Sequence, residues 1–174
     1  MLPSAQPSNT LSSSLPPTGT QRPQEGILPT GQYLIETVTG RLYVTLTDGN
    51  RGTPFTTTNS KEDENTRFTV TKLTKNNVGD YSPPAKDEEY EIASFEFANF
   101  AVYPQDDLMV QGKADPFRWV IRELDVKGQY LICSRASSNP RVFWMLDDRN
   151  PGSTVKLTSD DSKAQVWKLT REFH

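Results

Sequence analysis

Histidine and cysteine are almost missing from this chain. One His, His174, stands at the last of 174 positions, and one Cys, Cys133, lies within an apolar run. A single thiol makes no intrachain disulfide and no Cys-rich zinc site. A lone histidine at a chain end supports neither a Ser-His-Asp nor a Cys-His arrangement, because a general base must be held by its neighbours. Cys133, beside Ile132, reads as a small buried hydrophobe rather than a nucleophile. Gly-rich phosphate loops are absent. No stretch approaches the roughly 20 apolar residues of a membrane-spanning helix. A basic surplus is lacking too. Lys and Arg number 19 against 22 Asp and Glu, a formal charge of −3, so the basic face of a nucleic-acid binder is not expected. Acidic pairs occur at Asp106-Asp107, Asp147-Asp148 and Asp160-Asp161. Calcium-loop spacing is missing around them, and they read as solvated turn formers rather than glycosidase carboxylates. The expectation is a non-enzymatic protein with no cofactor and no metal, and with neither membrane nor nucleic acid as a partner.

What is present divides unevenly along the chain. Residues 1–26 hold Pro3, Pro7, Pro16, Pro17 and Pro23 among many Ser and Thr, with no aromatic residue. Prolines remove backbone donors, and so few apolar side chains do not offset the entropy of ordering the segment. A disordered Pro/Ser-rich tail is expected there. Its use as a proline-rich ligand is the alternative, although Pro16-Pro17 lacks a repeated PxxP context. The start, Met1 to Pro7, has neither a basic n-region nor an apolar h-region. A cytoplasmic location is therefore expected, with unconventional release as the other route. From residue 27 to 174 the composition changes to short β-type runs between turn residues, the expected folded domain.

That domain repeats itself. Gly31-Gln32-Tyr33-Leu34-Ile35 recurs unchanged as Gly128-Gln129-Tyr130-Leu131-Ile132. Leu46, Asp48, Asn50 and Gly52 are matched by Leu146, Asp148, Asn150 and Gly152 at a constant offset of 100. A middle copy opens at Glu89-Tyr90-Glu91-Ile92-Ala93 and continues through Phe100–Tyr103 and Leu108–Val110. Each copy closes on an aromatic run: Thr66–Val70 with Phe68, Phe117–Ile121 with Trp119, and Gln165–Leu169 with Trp167. The runs are short and alternate apolar with polar, and threonine and aromatics dominate them. Tyr33 and Ile35, and Leu42, Val44 and Leu46, are expected to face inward. About four strands per copy, in units of about 30–73, 88–124 and 128–171, predict an all-β chain with the β-trefoil fold. A propeller usually has at least four blades, and an immunoglobulin-like sandwich would show no triplication. The closing aromatics would fill the shared core around the pseudo-threefold axis. Thr74 to Lys86 is expected to be an exposed connection.

Several of these runs carry a family resemblance. Thr30–Ile35, Arg118–Ile121, Phe143–Asp148 and Val166–Leu169 resemble the β-trefoil serine protease inhibitors of mushrooms over approximately residues 28–172. Mycocypins, which inhibit cysteine proteases, and fungal ricin-B-like lectins share that fold and a similar opening. The resemblance implies a trypsin-like serine protease as partner and a basic residue in the loop between the second and third strands. Here that loop runs from Thr47 to Pro54, and Arg51 between Asn50 and Gly52 is the implied specificity residue. A desolvated Arg-carboxylate pair in an acidic pocket is both strong and selective. The plain alternative is a solvated turn, because Asn-x-Gly is itself turn chemistry. Lys163, in the last hairpin, and Arg149 are competing basic residues, each with acidic neighbours. Asn139-Pro140 and Asn150-Pro151 are the positions for a cysteine protease, weakened by the proline after each Asn. For a lectin, Trp144 with Asp147 and Asp148 forms the alternative glycan site, against core packing for Trp144. Tyr43 and Tyr103 are further aromatic platforms without evident polar partners. Gln165-Val166-Trp167 matches the Q-x-W of ricin-B repeats in one unit of three.

Overall fold

Tyr33, Tyr90 and Tyr130 each stand near the start of an alternating run, and each run is a strand. The computed structural model describes residues 28–39, 41–73, 88–135 and 137–173. The expected tail, the expected connection from Thr74 to Lys86, and His174 lie outside the described residues. The first unit comprises β1 (Gly31–Thr37), β2 (Tyr43–Thr45), β3 (Thr56–Thr58) and β4 (Arg67–Lys72). The second comprises β5 (Glu89–Ser94), β6 (Phe100–Val102), β7 (Gln111–Lys113) and β8 (Trp119–Glu123). The third comprises β9 (Gln129–Ser134), β10 (Phe143–Met145), β11 (Lys156–Thr158) and β12 (Trp167–Glu172).

The first and last strands of each unit close a ring of antiparallel pairs. β1 pairs with β4, β4 with β5, β5 with β8, β8 with β9, β9 with β12, and β12 returns to β1. A closed ring leaves no free edge. The second and third strands of each unit form a hairpin, and the three hairpins cap the barrel. They meet in a cycle of main-chain bonds: Phe55 N–H donates to the Val110 carbonyl (2.8 Å), Val110 N–H to Val155 (2.9 Å), and Val155 N–H back to Phe55 (2.8 Å). The chain is a β-trefoil. One expected strand shifts. Leu108–Val110 is apolar, yet pairing falls on Gln111–Lys113, opposite Phe100–Val102. Val110 belongs to the axial cycle, and Leu108 is 60% exposed.

Alternation sorts the side chains as expected. Tyr33, Ile35, Leu42, Val44 and Leu46 are buried, as are the closing rings Phe68, Trp119 and Trp167. Trp144, however, is no glycan platform. It is fully buried, edge-on to Trp119 (5.4 Å) and to Trp167 (6.0 Å), and tilted against Phe55 (6.2 Å). As the inward residue of β10 it stands where β2 has Val44 and β6 has Ala101. Two small residues and one large ring fill a centre that three indoles would overfill. Cys133 is buried, and the Arg141 guanidinium donates to its sulfur at 3.2 Å.

At the far end of the barrel, Tyr33, Tyr90 and Tyr130 hold equivalent places in the three units. The Tyr33 hydroxyl donates to the Pro29 carbonyl (2.7 Å), and Tyr90 accepts from Leu28 N–H (3.1 Å). Burial pushes the Tyr90 and Tyr130 phenols up to about 12 from 10.0. A raised phenol pKa means that the folded state keeps protons that the unfolded chain loses. Its contribution is full below pH 10 and disappears as pH climbs from 10 towards 12. We predict alkaline unfolding across that window, followed by circular dichroism. Tyr90→Phe and Tyr130→Phe are expected to move the midpoint to higher pH, and an unmoved midpoint would refute the assignment.

Candidate functional site

The sequence-matched loops at Asp48 and Asp148 adopt the same turn. The Asp48 carboxylate accepts from Asn50 N–H (2.8 Å) and from the Thr53 hydroxyl (2.5 Å), and Thr53 N–H returns to the Asn50 carbonyl (3.2 Å). In the third unit Asp148 accepts from Asn150 N–H (3.1 Å) and the Ser153 hydroxyl, with Ser153 N–H on Asn150 (3.2 Å). These donors hold both carboxyls below their ordinary 3.8, the side-chain hydroxyl contributing most. Gly52 and Gly152 sit at φ 90° and 89°, a region that suits glycine.

Each loop leans on another unit. Gly52 N–H donates to Gly112 of β7 (2.8 Å), Asn99 Nδ2 donates to the Gly49 carbonyl (2.8 Å), and Phe97 packs on Gly49. Gly152 N–H donates to Thr57 of β3 (2.6 Å), and the Thr57 hydroxyl donates to Asn150 (3.0 Å). Arg51 is exposed at the head of its loop and makes no ion pair among the described residues. Arg149 and Asn150 are exposed on the matching loop, and Asn139 is exposed before a cis proline. Lys163 ends a short turn and pairs with Asp160 at 3.7 Å.

The structure separates the expected glycan trio. Trp144 points into the core, Asp148 is used by its own turn, and Asp147 pairs with Lys156 beside a cleft of about 790 Å³. Leu108, Met109, Met145 and Leu157 also line that cleft, which has no aromatic ring.

A second cleft, of about 490 Å³, has one. Four strands bring its residues into a row. Lys168 of β12 is register partner to Glu36 of β1, Glu36 to Tyr43 of β2, and Tyr43 to Thr58 of β3, which Asn59 follows. Direct cross-strand partners point to the same side of a sheet. Tyr43, Glu36, Asn59, Arg41, Lys61 and Lys168 all line the cleft. Glu36 Oε1 accepts from Lys168 Nζ (2.9 Å) and from the Thr170 hydroxyl (3.3 Å), and the carboxylate keeps the Lys168 ammonium protonated above its ordinary range. Tyr43 thus gains the polar partners that its sequence neighbourhood lacks. Strand pairing supplies them from positions as distant as 168. The one clue within the sequence is the register of the β1–β2 hairpin, which sets Glu36 opposite Tyr43.

Arranged this way, the cleft offers a half-buried ring beside carboxylate, amide and cationic groups. Such a set binds polyols: the ring meets C–H faces while the polar groups meet hydroxyls. No protein-family model matches the chain, and no curated protein matches it. Solved structures do. The designed threefold-symmetric protein ThreeFoil matches at TM-score 0.63 and 13% identity, over 82% of this chain and 99% of that one. The Rhizoctonia solani agglutinin matches at TM-score 0.63 and 17% identity, over 84% and 98%. SeviL, bound to the asialo-GM1 saccharide, matches at TM-score 0.57 and 14% identity, over 83% and 99%. At these identities the likeness carries the fold and leaves the protease-inhibitor resemblance without sequence support.

Proposed function

We propose that this protein is a carbohydrate-binding trefoil whose site is the cleft around Tyr43. The observation that carries the reading is the cross-strand row Lys168, Glu36, Tyr43, which sets a ring on the same side of the sheet as a nearly buried carboxylate. Among the described residues Glu36 has both of its hydrogen bonds on Oε1, so Oε2 is left to accept from a sugar hydroxyl. The agglutinin and the saccharide-bound protein among the structural neighbours support the same reading. The test is a glycan array probed with the full chain. Binding is expected, and Tyr43→Ala should weaken it about tenfold or more, because the stacking surface is removed. Arg51→Ala should bind as the parent does. An array without any signal refutes the proposal.

Protease inhibition is the second reading, and one observation favours it: Arg51 is exposed, without an ion pair among the described residues, on a loop already held by hydrogen bonds. A preordered loop loses little entropy on docking. Titration against trypsin-like enzymes tests it, with Arg51→Glu expected to abolish inhibition.

A further inference from the structure

We propose that the Tyr43 cleft prefers an anionic carbohydrate, one bearing a carboxylate or sulfate group, and that Arg41 and Lys61 engage that group. The inference rests on the glycan-binding reading above and goes further by naming the charge class of the ligand.

Four charged side chains line the cleft: Arg41, Lys61 and Lys168 against the single acid Glu36. Glu36 is bonded to Lys168 at 2.9 Å, which neutralises that pair and leaves two cations. Lys61 approaches only Glu62, at 3.9 Å, and both side chains are largely in water (62% and 81% exposed), so that contact is weak and screened. Arg41 is exposed and makes no ion pair among the described residues. The surplus is local, because the whole chain carries −3.

Arg41 also occupies an uncommon backbone conformation. Its φ is 48°, in the left-handed region where a side chain other than glycine is disfavoured. Strain of this kind concentrates where a side chain is needed for binding. The guanidinium fork matches the paired oxygens of a carboxylate or sulfate, and its charge strengthens each hydrogen bond. Tyr43 then takes the ring face of the sugar and Asn59 its hydroxyls, with the acidic substituent directed to Arg41.

An array of neutral oligosaccharides with their sulfated and uronic-acid counterparts tests the inference. The parent is expected to prefer the charged member of each pair by about tenfold at low salt, with the preference shrinking as ionic strength rises. Arg41→Gln and Arg41→Gly should both lose the preference, the charged sugar of each pair weakening more than its neutral counterpart. The glycine variant should melt at or above the parent temperature, since its backbone strain is relieved; a misfolded protein would not. Equal binding of neutral and charged sugars by the parent overturns the inference and leaves the glycan reading intact. Preference retained in both Arg41 variants also overturns it. Absence of all sugar binding overturns both.

Discussion

Trp144→Ala is expected to lower stability by about 3–5 kcal/mol, the usual cost of deleting a fully buried indole. In a chain of this size that shifts the melting temperature by roughly 6–20 °C. The large value follows from position. Trp144 contacts rings contributed by all three units: Phe55 from the first, Trp119 from the second and Trp167 from the third. The equivalent inward residues are Val44 and Ala101, too small to close over the gap. Trp144→Phe should cost much less, for a second reason besides volume. The Trp144 indole N–H is buried without an acceptor among the described residues, whereas Trp119 donates to the Ala101 carbonyl at 2.7 Å. Removing an unpaired donor gives back part of what the lost ring area takes away. Thermal melts of the two variants decide the matter. Equal losses in both would show that bulk at this position is not what holds the centre together.

Gly112→Val is expected to cost about 1–3 kcal/mol and to loosen the Arg51 loop at the same time. A Cβ at this position would lie 3.2 Å from Leu46 Cδ2, 3.3 Å from its Cδ1 and 3.5 Å from Asn99 Cβ. Leu46 is itself fully buried and has nowhere to retreat. The Gly112 main chain meanwhile accepts from Gly52 N–H (2.8 Å) and donates to the Thr53 carbonyl (2.9 Å). Pushing β7 outward would stretch both bonds. Hydrogen exchange at the Gly52 amide reports the loop, and a thermal melt reports the fold. Faster exchange with a lowered melting point is the expected pair. An unchanged Gly52 amide would refute the buttressing role of β7.

The architecture was legible in the sequence because repetition is visible without any knowledge of contacts. Gly31–Ile35 against Gly128–Ile132 announces two equivalent strands, and the alternation of Leu42, Val44 and Leu46 announces their inward face. The inward register of Val44 also placed Trp144 on the inward side, so the sugar-platform alternative for that ring conflicted with the alignment from the start. Leu108–Val110 misled because apolar character marks burial or docking equally well, and only hydrogen bonding distinguishes a paired strand from the chain that crosses the axis. The cleft around Tyr43 was harder to see. Its carboxylate lies seven positions upstream and its lysine lies in the closing strand of the last unit, so neither forms a motif with the ring. Closure of the barrel, which sets β12 against β1, is what assembles them.

The axial cycle of Phe55, Val110 and Val155 is made entirely by main-chain groups. Because no side chain takes part, an ancestral segment copied and fused in tandem would keep this clasp however far its copies drifted apart. One position carries phenylalanine and two carry valine, and the clasp is closed at all three. Divergence of the units is therefore free to proceed at the surface, where a cleft at one junction between units need have no counterpart at the other two.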